Sequence, residues 1–96
     1  MIKVKVHTIL GIKKIIGRGK IEVVLPKDSV LKSLLSRLIE IYGEALSSTI
    51  YGENNAEILP HIRVMVNGRD IEFLDGTGTV LENGDEILIL PPVSGG

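Results

Sequence analysis

The sequence predicts an α+β domain, a mixed sheet of four to five strands with one main helix packed on one face. Three observations predict it. Apolar and polar residues alternate over residues 2–9 and again over residues 61–73, as half-buried strands do. Apolar side chains recur every three or four positions over residues 30–42, as in an amphipathic helix. The run Ile87–Leu90 is apolar at every position, which is typical of an interior strand.

The first half of the chain predicts a hairpin followed by the helix. Residues 2–9 form the first strand and Lys20–Leu25 the second. We interpret the glycine-bracketed segment between them as a turn with room for one helical turn at residues 12–16. Asp28-Ser29 offers the N-cap of the helix, with Ser29 the better candidate, and Gly43 is expected to end the helix. The apolar stripe of this helix comprises Val30, Leu31, Leu34, Leu35, Leu38, Ile41 and Tyr42.

A second hairpin is predicted where Asn67-Gly68 separates two alternating runs. A two-residue turn fixes the register, which places Arg63 opposite Glu72 on the polar face. Hydrophobic pattern and charge pairing therefore favour the same register. The other face of this hairpin collects Ile62, Val64, Val66, Ile71 and Phe73.

These elements fit together as a β-grasp, in which the first and last strands are parallel neighbours and the helix crosses one sheet face. Residues 44–60 are interpreted as a short helix and a loop. We expect residues 1–90 to form the domain and residues 91–96 a flexible tail. Because 44% of the chain is apolar and only 3% aromatic, the core must be aliphatic.

The composition excludes several kinds of site. With 11 basic and 12 acidic residues the chain has a formal charge of −1, and so shows no basic footprint for nucleic acid. It has no cysteine, which excludes disulfides, thiolate metal sites and a cysteine nucleophile. No apolar run reaches the roughly 20 residues of a membrane span, and the first residues alternate, unlike a signal peptide. We expect a cytoplasmic protein.

No self-contained catalytic group of residues is recognisable. His7 and His61 are the two histidines, and neither has a second ligand at metal-binding spacing. Gly76-Thr77-Gly78 is too short for a phosphate loop. We therefore expect no metal site and no enzyme that acts alone.

The last six residues are the strongest functional signal: Pro91-Pro92-Val93-Ser94-Gly95-Gly96. Extended, they reach at most about 20 Å, enough for a terminal carboxylate to enter a narrow pocket on a partner. The two glycines let the backbone approach another surface closely. The carboxylate is ionised at neutral pH and a poor electrophile, so a partner has to activate it, for instance as an acyl-adenylate.

Three segments carry a resemblance to a known family. They are residues 66–69 (Val-Asn-Gly-Arg), Leu81 with residues 83–86 (Asn-Gly-Asp-Glu), and residues 89–96, which end in Pro-Pro-Val-Ser-Gly-Gly. The chain resembles the MoaD family of ubiquitin-like sulfur carriers, the small subunits of molybdopterin synthase, and in particular its longer archaeal-type members. The resemblance covers the whole chain and is most specific at the carboxyl end.

The resemblance implies a mechanism centred on Gly96. An E1-like, MoeB-like adenylyltransferase would adenylate Gly96 with ATP and magnesium, and a sulfur donor would convert it to a thiocarboxylate. The carrier itself would bind no cofactor. A MoaE-like large subunit would receive the tail, and sulfur would pass to the pterin precursor of the molybdenum or tungsten cofactor. The inserted residues would be Pro91, Pro92, Val93, Ser94 and Gly95.

Partner docking is expected on the sheet face that the helix leaves free. Methionine adapts well to contact surfaces, and leucines of the last strand would extend an apolar patch beside it. We expect the activating enzyme and the large subunit to bind there. The expected contact residues are Lys5, His7, Arg63, Met65, Leu88 and Leu90.

Several alternatives stay open at this point. An activated Gly96 could form isopeptide bonds with lysines of target proteins, as ubiquitin-like modifiers do. Sulfur could go to another acceptor, such as thiamine thiazole or tRNA, although thiazole carriers are usually shorter and lack the Pro-Pro-Val neck. The domain could also be an interaction module with an inert tail.

Many MoaD members have aromatic residues where this chain has His7-Thr8, Ile89 and Leu90.

Overall fold

The computed structural model describes residues 1–53 and 57–91. Within these residues a five-stranded mixed sheet carries three α-helices on one face, in the strand order β2-β1-β5-β3-β4. The elements are β1 (Ile2–Thr8), α1 (Leu10–Ile16), β2 (Lys20–Leu25), α2 (Leu31–Tyr42), α3 (Glu44–Tyr51), β3 (Arg63–Val66), β4 (Arg69–Asp70) and β5 (Glu86–Leu90). The ubiquitin-like β-grasp predicted from the sequence is confirmed.

The centre of the sheet is the predicted parallel pair of first and last strands. Val6 of β1 lies opposite Ile87 of β5. On its other side β1 pairs antiparallel with β2, where Val4 lies opposite Val23. These β-branched side chains share one face and build an aliphatic layer under the helices. Nine strand residues of that layer are at most 8% exposed: Ile2, Val4, Val6, Val23, Leu25, Val64, Val66, Ile87 and Ile89.

Helix α2 packs its leucines on this layer, as predicted, but its stripe is shorter than the sequence indicates. Leu31, Leu34, Leu35 and Leu38 are fully buried. Ile41 is 55% exposed, so its predicted place in the core is wrong. The physical reason is the position of α2 over the edge of the sheet, because beyond β2 no further described strand covers this side chain.

The predicted cap of α2 is also wrong. The Ser29 hydroxyl donates to the Pro26 carbonyl at 2.7 Å instead of capping the helix. Val30 is the N-cap, and its N–H donates to the Ser33 hydroxyl at 3.2 Å. Val30 pairs with Val80 in an isolated β-bridge and so keeps an extended backbone. The helix therefore begins one residue later than a Ser29 cap would allow.

The connections contain more helix than the sequence indicates. The turn after β1 is a seven-residue helix, α1, because Ile12 and Ile16 lie one turn apart and both are buried. Gly17 ends it with a φ of +86°. The short helix expected within residues 44–60 is present as α3, and it buries Leu46 and Ile50.

The second hairpin has the predicted turn but ends early. Asn67 and Gly68 have φ values of +51° and +83°, as a type I′ turn requires. The pairing stops after Met65 opposite Asp70. The Asp70 carboxylate accepts the Glu72 N–H at 2.9 Å and starts a 3₁₀ turn over Ile71–Phe73.

Two expectations for that hairpin are consequently wrong. Arg63 does not pair with Glu72, because its guanidinium donates to the Asp70 carboxylate at 2.8 Å. Phe73 does not join the core and is 85% exposed, because the 3₁₀ turn rotates it away from the strand face. Ile71 is buried, as predicted.

Candidate partner-binding face

The structure brings five of the six expected contact residues together on the sheet face opposite the helices, and the sixth, Lys5, lies two positions before His7 on the same face of β1. Leu88 lies in the middle, opposite His7 of β1 on one side and Met65 of β3 on the other. Arg63 lies opposite Leu90 at the next position of the same face. We call this surface, formed by His7, Arg63, Met65, Leu88 and Leu90, the open face. Its apolar members are half-buried, which leaves side-chain area free for a partner.

One side of the open face is set by a His–carboxylate contact. His7 Nε2 lies 2.8 Å from Glu86 Oε1, and the two side chains are 34% and 56% exposed. The hydrogen bond from His7 is the main cause that lowers the pKa of Glu86, and the charges of Lys5 and Lys20 lower it further. Sequence reasoning missed Glu86 because its contact with His7 joins two strands that are distant in the sequence, β1 and β5. The register of such a parallel pair cannot be predicted from the residues next to either side chain.

The other side is set by the Arg63–Asp70 pair. Asp70 has a lowered pKa, first because it accepts the Glu72 N–H and then because it accepts a hydrogen bond from Arg63. The Asp70 side chain is 13% exposed, whereas that of Arg63 is 58% exposed. The same carboxylate thus ends the hairpin and positions a cation at the rim of the open face.

Asn67 joins the hairpin turn to the start of β5. Its N–H donates to the Glu86 carbonyl at 2.8 Å, and its Oδ1 accepts the Glu86 N–H at 2.9 Å. Its Nδ2 donates to Asp85 Oδ1 at 2.9 Å. Two of the segments that carry the family resemblance are therefore in direct contact. These hydrogen bonds hold the end of β3 against the start of β5, where Met65 lies opposite Leu88.

Phe73 adds an exposed aromatic residue beside this face. It lines a depression of about 510 Å³ together with Met65, Gly68, Arg69 and Asp70. The sequence pattern assigned Phe73 to the core, so only the early end of β4 shows that it belongs to the surface. Large exposed aromatic side chains are common anchors of protein interfaces.

The predicted reacting group, Gly96, lies outside the described residues, as do Pro92, Val93, Ser94 and Gly95. The described chain ends at Pro91, which is buried directly after β5. The residues that precede the tail are thus part of the central strand, and Leu90 borders Arg63 at this end of the open face.

Other kinds of site find no support in the described part of the chain. No group of three or more His, Asp or Glu side chains there could hold a metal ion. None of the helices in residues 1–53 and 57–91 is long and apolar enough to cross a membrane.

Comparison with known proteins decides the family. Residues 11–96 match the sequence profile of the ThiS family. The chain belongs to the ThiS family. Together with its fold, this makes it a ubiquitin-like sulfur-carrier family protein, as the resemblance to MoaD-type carriers implied.

Relatives of this ThiS-family chain include proteins named for two activities. It is 33% identical over 81 residues to a putative sulfur carrier protein of Archaeoglobus fulgidus, covering 84% of this chain and 89% of that one. It is 31% identical over 84 residues to small archaeal modifier protein 3 of Haloferax volcanii, covering 88% of each. The crystal structure of SAMP1 from Haloferax volcanii is similar with a TM-score of 0.85 and 26% identity, covering 98% of this chain and 99% of that one.

Proposed function

We propose that this protein is a carrier whose terminal carboxylate, on Gly96, is activated by an E1-like enzyme and then carries sulfur as a thiocarboxylate. The observation that carries the proposal is the placement of Pro-Pro-Val-Ser-Gly-Gly directly after the central strand β5. The domain positions the tail, and the activating enzyme supplies the catalytic groups, ATP and magnesium. The carrier itself needs no cofactor and catalyses no step alone.

The proposed chemistry has two steps. A carboxylate oxygen of Gly96 attacks the α-phosphorus of ATP, and pyrophosphate leaves. A hydrosulfide from a sulfur donor then attacks the acyl carbon, and AMP leaves with the bonding electrons, which gives the thiocarboxylate. Because the chain has no cysteine, no thiol of its own competes for the activated acyl group.

The finer assignment within this proposal is molybdopterin synthesis. The motifs shared with MoaD-type small subunits support it, and the thiocarboxylate would then donate sulfur inside a MoaE-like large subunit. The second candidate is protein modification, in which the activated Gly96 acylates lysines of target proteins. The relatives named small archaeal modifier proteins favour this second candidate. We propose the cytoplasm as the place of either activity.

Mass spectrometry of the protein from its own cells separates these candidates. Sulfur carriage predicts an intact mass about 16 Da above that of the free acid, since sulfur replaces oxygen at Gly96. Modification predicts peptides of other proteins that carry Gly-Gly on lysine. If actively growing cells contain neither the thiocarboxylate nor the Gly-Gly conjugates, the proposal is contradicted.

Deletion of Gly96 tests the reacting group itself. ATP-dependent adenylation and thiocarboxylation should be lost, because the carboxylate would lie more than 3 Å short, and a shift of about 1 Å can already cost roughly 100-fold in rate. Thermal stability should stay within about 0.5 kcal/mol, as for most surface changes. A shortened protein that is activated at the normal rate would refute carriage by Gly96.

Met65→Glu tests the open face as the docking surface. The added charge should weaken binding of the activating enzyme at least about tenfold, because a carboxylate at an apolar contact must be desolvated. Ser36→Glu, on the exposed side of α2, adds the same charge on the opposite side of the domain and should bind normally. Equal binding by both variants would place the docking surface elsewhere.

A further inference from the structure

Strand β2 is an edge strand of the described sheet, and its outer side lacks a neighbouring strand. The Thr8 N–H of β1 donates to the Gly19 carbonyl at 2.9 Å. Thr8 and Gly19 therefore form a hydrogen-bonded pair of the antiparallel ladder. In an antiparallel ladder such pairs alternate with non-bonded ones. The N–H and C=O groups of Lys20, Glu22 and Val24 therefore point away from β1, toward the free edge.

A groove of about 370 Å³ follows this edge and passes under the end of α2. Val24 and Ile41 line it from opposite sides and are 48% and 55% exposed. Ile21 and Tyr42, which are half-buried, also line it. An extended chain beside β2 would satisfy the free backbone groups and cover apolar area on both of its own faces.

We propose that this groove binds an extended peptide segment of a partner protein, which adds a sixth strand to the sheet along β2. Its aliphatic side chains, at alternate positions, face Ile41 and Tyr42. The residues that line the groove include two cations, Arg18 and Arg37, and one anion, Glu22. A carboxylate of the segment pairs with the cations.

The charges of the groove are placed to receive that carboxylate. The Thr8 hydroxyl donates to the Arg18 carbonyl at 2.7 Å and fixes the backbone of Arg18 at the entry to β2. The Arg37 guanidinium contacts the Glu40 carboxylate at 3.4 Å, and both side chains are more than half exposed. Such a contact is weak, so Arg37 is free to exchange it for a ligand carboxylate.

A bare segment fits this space better than a second copy of the chain. Paired strands lie about 4.8 Å apart, whereas packed helices need about 8–10 Å between their axes. Two copies joined antiparallel through their β2 edges would place both α2 helices on the same side of the extended sheet, each beside its own edge strand. A single extended strand has no such helix.

Two blocked peptides are suitable probes, Asp-Ser-Val-Ser-Ile-Ser-Val and its reversed sequence, because the strand direction is open. At least one should shift the ¹H–¹⁵N resonances of β2 and of the end of α2 at concentrations below about 1 mM. At about 90% saturation, amide hydrogen exchange of Lys20, Glu22 and Val24 should slow about tenfold, in proportion to the unbound fraction. Binding that leaves these three amides unprotected would overturn strand addition.

Matched variants test the two recognition elements. Val24→Pro removes an outward N–H without touching the bonds to β1 and should abolish binding, whereas Val24→Thr keeps that N–H and should bind. Arg18→Glu should weaken the peptides with aspartate and strengthen versions with lysine in its place. If Val24→Pro loses its native spectrum, Glu22→Pro makes the same test at the next outward position.

Several results would overturn the proposal. One is the absence of resonance shifts with either peptide up to about 1 mM, and another is shifts that are confined to the open face. A third is equal binding by Val24→Pro and Val24→Thr. A β2-mediated dimer in sedimentation experiments that neither peptide displaces would assign the edge to a second copy instead. None of these readouts depends on Gly96, so failure here leaves the proposed carrier function intact.

Discussion

The two faces of the sheet differ in what holds their residues in place. On the helix side, Val6 and Ile87 are completely buried among other aliphatic side chains. On the open face, His7 and Leu88 occupy neighbouring positions of the same two strands but remain partly exposed. Packing therefore fixes one face, and polar contacts at its rim position the other. A carrier can consequently change its partner surface without changing its core.

The largest expected effect is the difference in stability between truncations of two neighbouring residues, Ile87 and Leu88, whose side chains lie on opposite faces of the sheet. Ile87→Ala should lower the free energy of unfolding by about 2–5 kcal/mol, because it leaves a cavity at the centre of the sheet. Leu88→Ala, one residue along β5, should cost clearly less because its side chain is only half-buried. Urea unfolding of both variants measures the difference. Equal losses would mean that the open face is also packed.

Asn67→Ala tests the link between the hairpin and β5. It removes two side-chain hydrogen bonds, to Glu86 and Asp85, and puts alanine at a φ of +51°. We expect a loss of about 1–3 kcal/mol, mostly from strain and from groups left without their partner. Asn67→Gly is the control, since it removes the bonds but tolerates the positive φ. If Asn67→Gly is as unstable as Asn67→Ala, the strain contributes nothing.

Phe73→Ala distinguishes the observed hairpin from the longer one that the sequence predicts. An exposed side chain should change stability by no more than about 0.5 kcal/mol when truncated. A buried phenylalanine would instead cost about 3–5 kcal/mol. Thermal unfolding decides between them. Ile71→Ala, two residues earlier and at a buried position, provides the contrasting loss in the same turn.

The smallest effect concerns pH. Asp70 and Glu86 have pKa values lowered from 3.8 and 4.5, mainly by the Glu72 N–H and by His7 respectively. A lowered folded-state pKa contributes stability that is complete above the ordinary value and is lost as pH falls through the folded value. Stability should therefore decline below about pH 4.5. Asp70→Asn should flatten the part of this decline below about pH 3.8, as followed by urea unfolding across that range. An unchanged slope would show that neither the Glu72 N–H nor the Arg63 guanidinium stabilises the Asp70 carboxylate measurably.

The sequence by itself determined the periodic features. Alternation in β1, the leucine repeat of α2 and the Asn67-Gly68 turn each act over a few residues, so local pattern was sufficient to predict them. The parallel pairing of β1 with β5 also followed, because it is the arrangement that buries every apolar stripe. The terminal Gly-Gly, on which the proposed activation rests, was evident from residue order alone.

Only the tertiary structure decided the features that depend on distant partners. Val30 stays out of α2 because Val80, far along the chain, holds it in a β-bridge. Phe73 is exposed because the Asp70 carboxylate captures a backbone N–H and ends β4. Ile41 is exposed because the sheet ends at β2 beneath it. In each case the deciding contact lies outside the repeat that predicted the residue, and a periodic pattern carries no information about it.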